Sequence, residues 1–262
     1  METYSFADYA SFTSLYQAIL FDLVKGYWYK IAPRGLPVRE NLNVMVAVDP
    51  QNCTIDFTQT GAPERQEVYD KYRKAELEWY LSGNTLASSA PSKFWNQLAD
   101  KDGHITSNYG SMMLFEEIYP PHQDASPGSG HGYQTAIDRV VDTLVKDPDS
   151  RQAIVHYNQP DHCWPENKDF PCTMYSQFFI RGRHLHMTTC QRSCDIIKGF
   201  SYDVPWSCHF MEMVLNRLKE RGLDVQLGLF THVFGSLHLY EKDLELANKI
   251  LQDADEGESD EH

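Results

Sequence analysis

The second half of the chain alternates short apolar runs with helical stretches, and that order limits the architectures open to it. Ala153 to Tyr157, Thr173 to Ile180 and Leu185 to Thr189 read as strands. Pro205 to Arg221 follows as a helix with proline near its first position. Val225 to Phe234 returns to strand, and Lys242 to Leu251 forms a last helix. Upstream, Tyr9 to Lys25 places Phe12, Leu15, Tyr16, Ile19, Leu20 and Leu23 at helical spacing before Pro33 and Gly35 break the chain. Asn43 to Val48 looks like a buried strand closed by Asp49-Pro50, and Pro63 to Leu81 like a helix stopped by Gly83. Pro120 to Gly132 is loop-like, and His131 to Lys146 reads as a helix. Strands and helices interleaved without a strict βαβ rhythm predict an α/β (α+β) protein built on a mixed sheet.

The 262 residues carry 42% hydrophobic and 13% aromatic side chains, enough for a sizeable core. A single catalytic domain over 1–252 is expected, with an acidic, disordered tail over 253–262. Lys and Arg number 23 against 37 Asp and Glu, a net charge of -14, which repels polyanions at about a Debye length of 8 Å. Nucleic acid polymers are therefore poor partners, although a few focused arginines can still hold one phosphate. No run of about 18 apolar residues suggests a membrane span, and Met1 to Asp8 lacks the pattern of a secretion signal, so a cytoplasmic protein is expected. The six cysteines are read as thiols, and no pair of C-x-x-C motifs or histidine constellation suggests a metal.

Several pieces carry chemistry. Gln191-Arg192-Ser193-Cys194-Asp195 continues through Gly199 to Asp203; Glu76 to Thr85 reads Glu-Leu-Glu-Trp-Tyr-Leu-Ser-Gly-Asn-Thr. Trp95, Asn108-Tyr109-Gly110, Asp147 to Arg151, Pro171-Cys172 and Gly235-Ser236-Leu237-His238-Leu239-Tyr240 complete the set. In that order, over roughly residues 70 to 245, they resemble the thymidylate synthases, whose usual nucleotide-binding run is Q-R-S-x-D-x-x-x-G-x-x-x-N. Cys172-Thr173, Asp203 and the Gly-Ser-Leu-His-x-Tyr form are most similar to the phage branch that hydroxymethylates deoxycytidylate. The resemblance implies a curved mixed sheet flanked by helices, a homodimer packed sheet to sheet, 5,10-methylenetetrahydrofolate as co-substrate and a pyrimidine nucleoside monophosphate as substrate.

It also implies roles. Cys172 is the expected nucleophile: carbon 5 of a pyrimidine becomes reactive only after something adds to carbon 6, and a thiolate both attacks and leaves readily. The bland alternative is a cysteine inert in the core. Arg192 matches a phosphate arginine, and Arg151 one that reaches the partner's site, while Gln152 stands where a second arginine is usual. Arg34 is a candidate for a mobile phosphate arginine, with Arg39 as its rival. His238 and Tyr240, on one face of a strand, match a pair that binds the sugar 3′-hydroxyl. Gln191, Ser193 and Tyr109 join the substrate residues, Ser193 being the form seen with deoxynucleotides, and Trp95, Asp195 and Gly199 the folate residues. Glu76 would organise water at the pyrimidine; otherwise it is an exposed helix residue paired with Arg73 or Lys74.

Asp203 departs from the family's asparagine. An amide complements uracil's N3–H donor and O4 acceptor, whereas cytosine reverses both. A carboxyl fits cytosine if it accepts from N4 and shares a proton with N3, and mispairing with uracil costs about 1 to 3 kcal/mol. The alternative is a helix N-cap before Val204-Pro205. Only 22 residues follow Tyr240, where the family carries a longer closing segment, so water rather than hydride is the expected final reactant, unless the Pro120 to Gly132 loop serves as a lid. Hydroxymethylation of deoxycytidylate is thus expected. Methylation of the same nucleotide, a cytidylate substrate or a catalytically idle nucleotide-binding relative are the competing readings.

Overall fold

The computed structural model describes residues 2–26, 28–118, 134–164 and 167–252. The expected loop at Pro120 to Gly132, the first residues of the helix expected from His131 and the acidic tail lie outside them. The strands are β1 (Thr3–Ser5), β2 (Tyr29–Ile31), β3 (Val38–Val48), β4 (Glu117–Ile118), β5 (Gln134–Thr135), β6 (Ile154–His156), β7 (Thr173–Arg181), β8 (His184–Gln191), β9 (Cys194–Asp195) and β10 (Gln226–Tyr240). The α-helices are α1 (Phe12–Lys25), α2 (Arg65–Ser82), α3 (Tyr109–Leu114), α4 (Ala136–Lys146), α5 (Ser201–Glu220) and α6 (Leu244–Ile250). Mixed pairing with flanking helices is the architecture that the alternating pattern requires.

Two compact units divide the chain. The first takes 1–73, 187–211 and 228–262. Its strands run in the order β1-β3-β10-β8, with β2 on β3 and β9 on β10. Strand β3 starts five residues before the expected Asn43, because Arg39, Glu40 and Asn41 pair with Leu239, His238 and Leu237 of β10 despite their polarity. Helix α1 opens on a reciprocal cap between Ser11 and Ser14 and buries the six apolar residues that its spacing marked. Phe200 lies at the centre of their core, 5.9 Å from the Phe12 ring, 6.0 Å from Tyr16 and 5.6 Å from Phe234. Burying each such ring is worth about 1.5 to 3 kcal/mol.

The largest departure from the sequence pattern is the start of α5. The helix begins at Ser201, after a π turn over Ile196–Phe200, so Pro205 is an interior residue. Proline there cannot donate to the Ser201 carbonyl. The Tyr69 hydroxyl donates to that carbonyl instead, at 3.1 Å, and accepts from the Ile55 amide at 3.3 Å. A distant tyrosine thus lets the helix run four residues further toward its N-terminus. Tyr69→Phe is expected to cost about 1 to 3 kcal/mol, since it orphans buried groups, and the urea midpoint measures this.

The second unit takes 74–186 and 212–227. Here β8, β7 and β6 are neighbours, and the β7–β8 hairpin turns through Gly182, whose φ of 59° favours glycine. Helix α2 ends as expected at Gly83, φ 64°. Helix α4 carries Asp138 and Asp142 against Arg217 and Arg221 of α5. Along β8 burial alternates: Leu185, Met187, Thr189 and Gln191 are buried, and His186, Thr188 and Cys190 remain half-exposed.

Candidate active site

In the first unit, the Gln191–Asp203 run and the Gly235–Tyr240 run are brought side by side by β9 and β10. Cys194 sits opposite Leu237 and Asp195 opposite His238 in parallel register. Gly235 permits the approach, since a Cβ there would stand 3.1 Å from the Arg192 carbonyl oxygen. Arg192 is exposed and Ser193 half-buried at the exit of β8. His238 and Tyr240 share a strand face, ring centroids 5.2 Å apart and edge to face. Burial lowers His238 to about 4, so its imidazole is neutral at physiological pH and keeps one donor and one acceptor.

Asp195 is the side-chain cap of the π turn, accepting from the amides of Ile197 at 2.8 Å and Lys198 at 3.3 Å, and burial raises its pKa. Asp203 lies in the first turn of α5. Its carboxyl accepts from side chains, not from the helix amides, so the N-cap alternative fails. Oδ2 takes the Gln191 Nε2 at 2.9 Å and the Cys194 Sγ at 3.8 Å. Desolvation raises Asp203 from an ordinary 3.8 to about 6, with the Gln191 and Cys194 donors opposing and the Asp195 charge adding to the rise. Gly199 leaves space for this group: a Cβ there would stand 3.0 Å from Cys194 Sγ and 3.4 Å from Asp203 Oδ2.

Of the two early arginines, Arg39 is engaged in packing. It donates to the Val24 carbonyl at 2.6 Å and to Glu241 at 3.2 Å, and it lies over the Trp28 ring. Arg34 is exposed at the tip of a turn with φ 53°, next to Gly35 at φ 80°. That conformation costs a non-glycine residue about 1 to 2 kcal/mol.

In the second unit, Asn108-Tyr109-Gly110 is explained residue by residue. Asn108 caps α3 by accepting from the Ser111 amide at 2.8 Å. Gly110 lies so close to α2 that a Cβ would fall 1.9 Å from the Tyr80 carbonyl oxygen. The Tyr109 hydroxyl accepts from the amides of both Cys172 and Thr173, each at 3.1 Å. Two residues that the motifs did not mark complete this hold on the cysteine loop. Ser107 donates to Asp169 through its amide at 2.8 Å and its hydroxyl at 2.6 Å. Cys172 itself is half-buried, which argues against an inert core thiol.

Glu76 is only 7% exposed, so the exposed-helix alternative is wrong. Arg73 pairs with Asp70 instead, at 3.5 Å. Trp95 packs against Trp79 at 5.0 Å, beside the exposed Phe94, and its buried indole Nε1 donates to nothing among the described residues. A flat aromatic wall with an unspent donor suits a heteroaromatic ring such as a pterin. Arg151 is exposed, and its carbonyl accepts from Gln177 at 2.9 Å. Among the described residues no group of three or more His, Cys, Asp or Glu could hold a metal ion, and no helix is long and apolar enough to cross a membrane.

A mixed sheet with flanking helices, a half-buried cysteine on a braced loop and buried carboxylates define an α/β enzyme scaffold. The thymidylate synthase family model matches residues 39–259, and the chain belongs to that family. It is 29% identical over 182 residues to the deoxycytidylate 5-hydroxymethyltransferase of Enterobacteria phage T4, which covers 66% of this chain and 68% of that one. The thymidylate synthase of Buchnera aphidicola subsp. Acyrthosiphon pisum (strain APS) is 28% identical over 183 residues, covering 67% and 62% respectively. Members of the family are one-carbon transferases that act on pyrimidine nucleoside monophosphates, with methylenetetrahydrofolate as co-substrate.

Proposed function

We propose that this protein hydroxymethylates deoxycytidylate at carbon 5. The observation that carries the reading is the Asp203 carboxyl, held where the family's pattern has an amide and buried enough to lift its pKa to about 6, within reach of protonation when the base is captured. A neutral carboxyl offers cytosine a donor for N3 and an acceptor for the N4 amino group. The likeness to the phage enzyme favours the same base and the same product.

In this reading Cys172 Sγ adds to carbon 6, giving carbon 5 enamine character, and the hold of Tyr109 and of the Ser107–Asp169 clamp keeps its loop in place. Bound methylenetetrahydrofolate supplies the one-carbon unit, with Trp95, Asp195 and Gly199 as its contacts. Glu76, buried on α2, positions the water that completes the hydroxymethyl group and moves the proton from carbon 5. Arg192, Ser193 and Arg34 take the phosphate, with Arg151 contributed by a second copy; His238 and Tyr240 take the sugar 3′-hydroxyl. The half-exposed face of β8 gives such a copy a surface to pack on. The same roles on cytidylate, or with methylation as the outcome, are the nearest alternatives.

Binding should report the proton. Asp203 titrates near 6 in the free protein, so capturing deoxycytidylate with a neutral carboxyl takes up one proton above that pH. The phosphate titrates alike in deoxycytidylate and deoxyuridylate, so the ratio of their Kd values isolates the base. The ratio of Kd for deoxycytidylate to Kd for deoxyuridylate is expected to rise by up to about tenfold per pH unit from 6 to 8, measured calorimetrically in buffers of different ionisation enthalpy. A pH-independent ratio would exclude a proton-carrying Asp203 as the base reader.

A further inference from the structure

Asp203 poses a problem of symmetry. A neutral carboxyl has one donor and one acceptor oxygen, and a swap of the proton between them turns a partner for cytosine into a partner for uracil. A protonated aspartate alone therefore does not discriminate the two bases. Discrimination requires the proton to be confined to one oxygen.

The surroundings of the carboxyl are asymmetric in the required way. Both of its hydrogen bonds arrive at Oδ2, from Gln191 Nε2 at 2.9 Å and from Cys194 Sγ at 3.8 Å, and Oδ1 accepts none among the described residues. The thiol's one proton is shared with the Asp195 carbonyl at 3.6 Å. Gly199 keeps the corner open, since a Cβ there would crowd the thiol at 3.0 Å and lie in contact with Oδ2 at 3.4 Å. The nearby ionisable group on the adjoining strand, Asp195, is spent on the amides of the π turn.

We infer that Gln191 and Cys194 are positioning residues for base choice: by donating to Oδ2 they hold the carboxyl proton on Oδ1, which then meets the N3 acceptor of cytosine and opposes the N3–H of uracil. The inference rests on the proposed reading of Asp203 as the base reader. It assigns Cys194 a function that its place in the run left open, and it makes Gln191 act through Asp203. Two donors at Oδ2 make it the less basic of the two oxygens, so which oxygen will carry the proton is set before substrate arrives.

The test uses the whole protein as Cys194→Ala, Cys194→Ser and Gln191→Met, each checked for a wild-type melting curve. Two quantities are read: the carboxyl titration of Asp203 by carbon-13 NMR without ligand, and the ratio of kcat/KM for deoxycytidylate over deoxyuridylate. Losing a donor to Oδ2 disfavours the ionised form, so Cys194→Ala and Gln191→Met are expected to titrate at higher pH than wild type. Their preference for deoxycytidylate is expected to drop, about threefold for the thiol and about tenfold for the amide, as the proton regains both oxygens. Cys194→Ser, which keeps a donor, is expected to recover much of each shift. Alanine and serine variants that titrate alike and discriminate like wild type would overturn the inference. A wild-type protein with no preference for deoxycytidylate would instead overturn the reading of Asp203, and the ligand-free titration would still decide whether Cys194 and Gln191 govern the carboxyl.

Discussion

Cys172→Ala is expected to lower tritium release from carbon 5 of deoxycytidylate by at least about 10⁴-fold, to the level of the uncatalysed exchange, while nucleotide binding stays within a few-fold of wild type. Without the thiolate no adduct forms at carbon 6, and carbon 5 keeps its aromatic inertness however well the nucleotide is held. The loop itself should survive the change. Among its fixings are the amides of Cys172 and Thr173 on the Tyr109 hydroxyl and the Ser107–Asp169 clamp, and these do not use the Cys172 sulfur. Single-turnover release together with equilibrium binding separates the two effects. Loss of binding in parallel with loss of rate would place Cys172 in the scaffold and not in the chemistry.

Asp203→Asn is expected to reverse the base preference, lowering kcat/KM for deoxycytidylate by about two powers of ten and raising that for deoxyuridylate. An amide matches uracil by presenting its oxygen to N3–H and its nitrogen to O4, and the Gln191 side-chain amide can turn over to accept from that nitrogen in place of donating as it does to the Asp203 carboxyl. Stability supplies an independent check. The folded-state pKa of about 6 lies above the ordinary 3.8, so the native protein holds an extra proton between those values. Stability therefore falls as pH rises through that window, and above about 6 the ionised carboxylate costs up to about 3 kcal/mol. The asparagine variant does not titrate there. It is expected to be more stable than wild type at pH 8 and to lose that advantage below pH 4, as urea midpoints would record. Unchanged cytosine preference in this variant would refute base reading by Asp203.

Where local forces decide the outcome, the sequence pattern and the structure agree. The apolar spacing of α1, the glycine stop of α2 and the strand character of β7 and β8 all reflect burial and backbone preference within a few residues. What escaped were the outcomes set by distant partners. Pro205 pointed to a helix start, and only Tyr69, far away in the chain, lets α5 begin at Ser201. The polar residues at the head of β3 hid a strand that β10 pairs on both sides of Asn43.

The same division holds at the site. Ordered motifs named Cys172, Tyr109 and Asp203 and ruled nothing in or out about what positions them. Ser107 and Asp169 are 62 residues apart, and no periodicity links them. The donors converging on one oxygen of Asp203 become visible only once the π turn and the first turn of α5 fold the run back on itself.

The mass of the product formed from deoxycytidylate and methylenetetrahydrofolate tests the proposed reaction most directly. Gain of one CH₂O unit, with tetrahydrofolate released, is the expected result. Gain of one CH₂ unit with dihydrofolate, or product from deoxyuridylate alone, would contradict it.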